Sequence, residues 1–168
     1  MTIAVSMRKQ AKAARILAAA LLAMGLAAVC ALSSCATVPY MPSDKKVQKL
    51  VALIDQGGVQ AVKGLSVAPF MLDGEILLRQ ADVDAAWSNL KAAGFRIGSP
   101  SIASIARIGA DSYALFAGTM DARVFFKKYL DKNSVLVTLD AAEGRFYLIL
   151  NREVKGYPRI QGFKGPVK

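Results

Sequence analysis

Histidine is absent from all 168 residues. Its absence removes the commonest protein metal ligand and the side chain that titrates nearest neutrality, and so argues against zinc sites, histidine-based triads and most proton relays. Cysteine is nearly absent: Cys30 and Cys35 are the only two, and their spacing makes no paired-cysteine metal site. A glycine-rich phosphate loop is missing as well. Gly57-Gly58 follows a helical pattern instead of joining a strand to a helix, and no Lys-Ser or Lys-Thr pair follows at the required distance. Acidic side chains are missing from residues 1–34, and that one-sided absence directs attention to the N-terminus.

There Arg8, Lys9, Lys12 and Arg15 precede an apolar run over residues 16–31. This is a basic n-region followed by an h-region. At 16 residues the run is shorter than the roughly 20 needed to span a hydrocarbon core as a helix, so a signal segment fits better than a permanent span. Leu32-Ser33-Ser34-Cys35 follows directly. It resembles the lipobox of bacterial lipoproteins, and the resemblance implies cleavage after Ser34 and a covalent lipid, a diacylglycerol with a further acyl chain such as palmitate, on Cys35. An ordinary secretory peptide, or an uncleaved anchor with an incidental cysteine, is the alternative. One acyl chain holds a protein only marginally on a membrane, whereas two or more anchor it stably. Met7-Arg8-Lys9 reads as a conventional start for such a peptide, with residues 1–6 arising from an early start codon.

On this reading Cys30 leaves with residues 1–34 and Cys35 is consumed by lipid, so no disulfide is available. The domain must then be held by burial alone, as one unit. Expected are a signal peptide over 1–34, a lipidated cysteine and short tether over 35–43, and a single domain over 44–168 with a basic C-terminal segment over 152–168. Four of the 22 basic residues precede residue 16, which leaves 18 against 12 acids. Arg152, Lys155, Arg159, Lys164 and Lys168 face Glu153 alone, placing much of the excess in the last 17 residues. Such a tail would meet anionic headgroups or cell-wall polymers by screened attraction. Lys127-Lys128 among Phe125, Phe126 and Tyr129 is too short a basic pair to name a nucleic acid, and none is expected as a partner.

Val47, Leu50, Val51 and Ile54 recur at helical spacing and predict a helix over 44–56, capped by Ser43 and stopped at Gly57-Gly58. A helical turn over 59–63 ends at Gly64, and an apolar run around Pro69 enters the core. Asp73-Gly74 predicts a tight turn into a short strand over 75–79. Asp82 is the expected N-cap of a second long helix whose apolar face is Val83, Ala86, Trp87 and Leu90 and which ends near Gly94. Four strands then form an antiparallel meander over 101–108, 113–126, 135–140 and 145–151. Residues 121–130 fit either period and are assigned to strand. The apolar alternation of 135–140 and 145–151 on both faces predicts central or covered strands. Three glycines and two prolines in 156–166 argue against a regular element, yet Tyr157, Ile160 and Phe163 recur every three residues, so this segment is expected to pack on the sheet or across the mouth of a cavity, with Arg159 and Lys164 outward.

Pro69-Phe70-Met71-Leu72-Asp73-Gly74-Glu75 ahead of the Trp87 helix, with two helices before it and long strands after it, is similar to the order in nuclear-transport-factor-like domains. The resemblance implies an α+β fold in which N-terminal helices pack on a curved antiparallel sheet, a cone-like enclosure used by some members for acid-base chemistry and by others for ligand binding or assembly. Fold does not choose among these. The expected function is a lipid-anchored envelope protein, a non-catalytic binding or structural module. Its expected place is the outer membrane facing the periplasm, since Ala36 stands where some bacteria use aspartate to signal inner-membrane retention. The enzyme alternative is a cofactor-free isomerase or dehydratase. A cavity carboxylate from Asp73, Glu75, Asp82 or Asp84, raised in pKa by desolvation, would work there with a hydroxyl from Tyr113 or Tyr147. No cofactor or metal is expected beyond the lipid on Cys35. Partners would be the membrane and a small apolar ligand or another envelope protein.

Overall fold

A computed structural model describes residues 39–168, and Pro39–Lys168 forms one compact unit. The expected signal segment, its cleavage point, the lipidated Cys35 and the Met7 start lie outside the described residues. The architecture is α+β, with four helices and a 3-10 turn around an open six-stranded sheet among the described residues. Helices α1 (Asp44–Gln56) and α2 (Val59–Leu65) lead into β1 (Ser66–Leu72) and β2 (Glu75–Leu77). Then come α3 (Gln80–Ala92), β3 (Ser101–Arg107), a 3-10 turn (Ser112–Leu115), α4 (Met120–Lys128), β4 (Val135–Ala141), β5 (Gly144–Val154) and β6 (Tyr157–Val167).

The strand order is β2-β1-β6-β5-β4-β3. All neighbours are antiparallel except β1 and β6, which run parallel. The sheet is therefore mixed, which corrects the all-antiparallel expectation: the last strand inserts between the first strand and β5. That insertion also overturns the irregular reading of 156–166. Pro158 falls near the start of β6 and Pro166 near its end, where a missing N–H interrupts the ladder least. Gly162 lies where a Cβ would stand 2.8 Å from Ile149 Cδ1 and 3.1 Å from the Met71 carbonyl, so only a residue without a side chain lets β1 and β5 close on β6. The three-residue recurrence of Tyr157, Ile160 and Phe163 also has a cause. Register shifts between Asn151 and Glu153 and between Ile149 and Leu150 put all three on the same side, packed in one core.

Alternation on β4 and β5 feeds two cores, as the two apolar faces required. Val135, Val137, Leu139, Phe146, Leu148 and Leu150 point to α1, α2 and α3, while Leu136, Tyr147 and Ile149 point to α4 and the 3-10 turn. The segment assigned to strand over 113–126 is thus a 3-10 turn and a helix. Thr119 caps α4 by accepting from the Ala122 N–H at 3.3 Å, and Phe125, Phe126 and Ala122 form its buried face. A helix wins because it can bury these residues together against Phe116 and Tyr147, whereas alternation would have divided Phe125 from Phe126.

Helix α1 has the expected bounds, but the Ser43 hydroxyl makes no cap bond. Its carbonyl accepts from Lys46 and Val47 instead. Helix α2 runs through Gly64 to Leu65. Helix α3 begins before Asp82: Arg79 holds the cap position, and the Asp82 carboxylate accepts from Arg79 Nε and Nη2, each at 2.9 Å. Asp73-Gly74 makes the two-residue turn expected, with Leu72 opposite Glu75 and positive φ at both residues.

Candidate functional site

The space between the sheet and helices α1 to α3 is filled by aromatic rings. Trp87 sits edge-on to Phe70 at 6.3 Å between centroids and 6.0 Å from Phe163, while Phe95 meets Phe163 at 5.1 Å and Phe146 at 6.2 Å. Such pairs add to the burial of large apolar area. The Trp87 Nε1–H is buried without a hydrogen-bond partner among the described residues, and packing holds the ring.

The concave surface lies outside this packed interior. A groove of about 380 Å³ runs between α1 and the β3 edge of the sheet, with Val51, Ala52, Pro100, Ile102 and Leu139 supplying apolar walls, and Gln48, Gln56, Ser99 and Arg96 polar ones. Asp55, at the end of α1, shapes it: its carboxylate accepts from the Ile97 N–H at 2.7 Å and the Gly98 N–H at 3.0 Å, fixing the loop that carries Arg96. Lys91 of α3 donates to the Ile54 and Asp55 carbonyls, satisfying the open C-terminal end of α1. The Asp55 carboxylate is thus occupied in holding the loop, and the exposed Arg96 is the charge left facing the groove.

A second polar constellation lies at the far end of the sheet. The Asp131 carboxylate accepts from the Asn133 N–H at 2.8 Å and the Ser134 hydroxyl at 3.4 Å. Gln161 Oε1 accepts from Asn151 Nδ2 at 2.9 Å and lies 3.3 Å from the Ser134 hydroxyl, whose one proton it shares with Asp131. Asn133, Ser134 and Gln161 are all buried. Burial of Asp131 works against its charged form, but these hydrogen bonds and the Arg152 charge outweigh it and hold the carboxyl below its ordinary value. Tyr40 closes this end. Its hydroxyl is buried with no hydrogen-bond partner among the described residues, and burial, with the nearby Glu153 carboxylate, holds the phenol well above its usual range. Nothing in the composition of 39–43 marked Tyr40 for this place. The signal was the cluster of Asp131, Asn133 and Ser134 just before β4, where unpaired backbone groups need side-chain partners.

The acids and tyrosines weighed for catalysis are scattered, and Asp73, Asp82, Asp84 and Tyr113 are engaged locally. Asp73 Oδ1 accepts from the Gly165 N–H at 3.0 Å, fastening the β1–β2 turn to β6. Glu75 is exposed on β2. Asp82 is paired with Arg79, which lowers its pKa chiefly through the hydrogen bond, and Asp84 accepts from Gln80 Nε2 at 2.9 Å. Tyr113 accepts from Arg123 Nη2 at 2.7 Å, with the guanidinium over its ring, and Tyr147 is buried in the α4-side core. No hydrogen bond joins any of these carboxylates to either tyrosine. Among the described residues no group of three or more acids and cysteines is placed to hold a metal ion, and no helix is long and apolar enough to cross a membrane. The chain matches no family model, no curated protein and no solved structure.

Proposed function

We propose that this protein is a lipid-anchored component of a bacterial envelope: Cys35 carries the lipid once residues 1–34 are removed, and the domain after it is a non-catalytic binding or structural module, facing the periplasm from the outer membrane. The observation that carries the module reading is the filled interior. Where a cavity enzyme needs a carboxylate and a hydroxyl aimed into a void, Trp87, Phe70, Phe95, Phe146 and Phe163 occupy the space, and Asp73, Asp82 and Tyr113 are bonded locally. The α1–β3 groove is the binding surface. Its apolar walls with Arg96 beside them suit a small apolar ligand with an anionic or polar end. Leu32-Ser33-Ser34-Cys35 after an acid-free apolar run supports the anchor.

Growth with labelled palmitate tests the anchor: label is expected on the wild-type chain and absent from Cys35→Ser, and an unlabelled wild type overturns the reading. Native mass spectrometry of gently purified residues 36–168 tests the groove. A reproducible extra mass of a few hundred daltons, lost in Arg96→Glu, is the expected result; mass retained in that variant places the ligand elsewhere.

A further inference from the structure

The two ends of the sheet differ in charge. β4, β6 and α1 begin, and β5 and α4 finish, at the end where Tyr40 docks. The Tyr40 backbone nitrogen lies 3.4 Å from the Asn133 side chain just before β4, Lys46 of α1 pairs with Glu153 of β5, and Gln161 of β6 reaches the carbonyl of Tyr129, which follows α4. Lys45, Lys128, Lys132, Arg152, Lys155 and Arg159 are all exposed at this end. Of the acids beside them, Glu153 is taken by Lys46, Asp131 is turned onto Asn133 and Ser134, and Asp44 is exposed in the first turn of α1, three carboxylates against seven cations. The opposite end carries Asp73, Glu75, Asp140 and Glu143 in or beside the β1–β2 and β4–β5 turns against Arg96, Arg145 and Lys168, with Arg145 paired to Asp140 at 2.7 Å, so it has no excess of basic residues. The excess of basic residues in 39–168 therefore gathers at the Tyr40 end, distributed over α1, α4 and the β5–β6 hairpin and not confined to the C-terminal segment.

This is also the end from which the chain leads back toward Cys35. Four peptide units separate Pro39 from Cys35, a covalent reach of at most about 14 Å. Met41, beside Tyr40, exposes 44 % of its surface here, an apolar side chain next to a ring of cations. We infer that the Tyr40 end is a membrane-facing surface that binds anionic phospholipid headgroups and orients the domain on its bilayer, an inference that rests on the lipid-anchor reading. An anchored Cys35 keeps this end close to the surface, where the field of anionic lipid is felt within a Debye length of about 8 Å, and each Lys or Arg held there strengthens partitioning about fivefold. The acidic turns lie at the other end of β5, whose 11 residues span about 36 Å. An inverted domain would bring those turns to the bilayer and lose the attraction.

The test uses residues 36–168, which include the whole compact unit with its own core and no cysteine, sedimented with phosphatidylcholine vesicles with and without phosphatidylglycerol. Binding is expected only with phosphatidylglycerol, and Lys45→Glu with Lys132→Glu should weaken it by at least about 25-fold. Arg145→Glu with Lys168→Glu changes net charge equally at the far end, where both side chains are exposed, and should weaken it less than about threefold. Equal losses in the two pairs, or wild-type binding indifferent to phosphatidylglycerol, overturn the inference. Palmitate labelling of the full chain reads the anchor separately. A labelled chain whose soluble unit ignores phosphatidylglycerol overturns the headgroup surface alone, and an unlabelled chain whose unit still prefers it overturns the anchor alone.

Discussion

Two residues carry stability in opposite ways. Trp87 is 1 % exposed among Phe70 and Phe163, with its indole N–H unpaired. Trp87→Ala should cost about 3–5 kcal/mol through lost burial and a cavity. Trp87→Phe keeps much of the ring and removes a buried unsatisfied donor worth about 1–3 kcal/mol, so it should cost well under half as much. Urea unfolding followed by circular dichroism measures both, and equal losses would show that the indole N–H is not a liability. Asp131 acts through charge. Its folded pKa lies below the ordinary 3.8, so its stabilisation is present above that value and is lost as pH falls through the folded pKa. Asp131→Asn should therefore melt below the wild type at neutral pH by a margin that shrinks under about pH 4. A margin independent of pH would mean that shape and not charge holds the Asn133-Ser134 turn.

At the scale of elements, β6 decides the sheet. Gly162 admits β1 and β5 to either side of it, and Gly162→Ala should cost about 1–3 kcal/mol by overpacking against Ile149 and Met71. Urea unfolding checks this, and a neutral result would mean the strands separate freely. Helix α1, the Asp73-Gly74 turn and strands β4 and β5 were legible because each shows one clean period or one turn dipeptide. β6 was not, because Gly and Pro count against strands on average, while the packing that requires Gly162 and the shifts that realign Tyr157, Ile160 and Phe163 depend on neighbours distant in sequence. α4 was missed for a related reason. Its nine residues fit both periods, and only Phe116 and Tyr147, on the turn before it and on β5, favour the helix. Of the candidate site, the carboxylates were visible as residue types. Their local partners, Arg79, Gly165 and Gln80, were not, and the Asp55 loop that shapes the groove is held by backbone amides that carry no sequence signature.

At the scale of the molecule, burial in two cores holds the sheet without a disulfide, since both cysteines precede residue 39. The parallel contact of β1 with β6 joins the first strand to the last. Non-local pairing of this kind is slow to form, and here it also sets an order in time. A ribosome delivers residue 66 long before residue 160, so Phe70 and Met71 wait for Ile160, Gly162 and Phe163 before either core can close. Nascent chains arrested with residues 157–168 still inside the ribosome should be cut readily by protease, and released chains should resist; early resistance would mean that the β1–β2 hairpin and its helices form a stable unit alone. With β6 lying between β1 and β5, neither layer around Phe70 and Met71 can close until residues 157–167 are free to pair, so the half of the fold made first is completed only by the strand made after it.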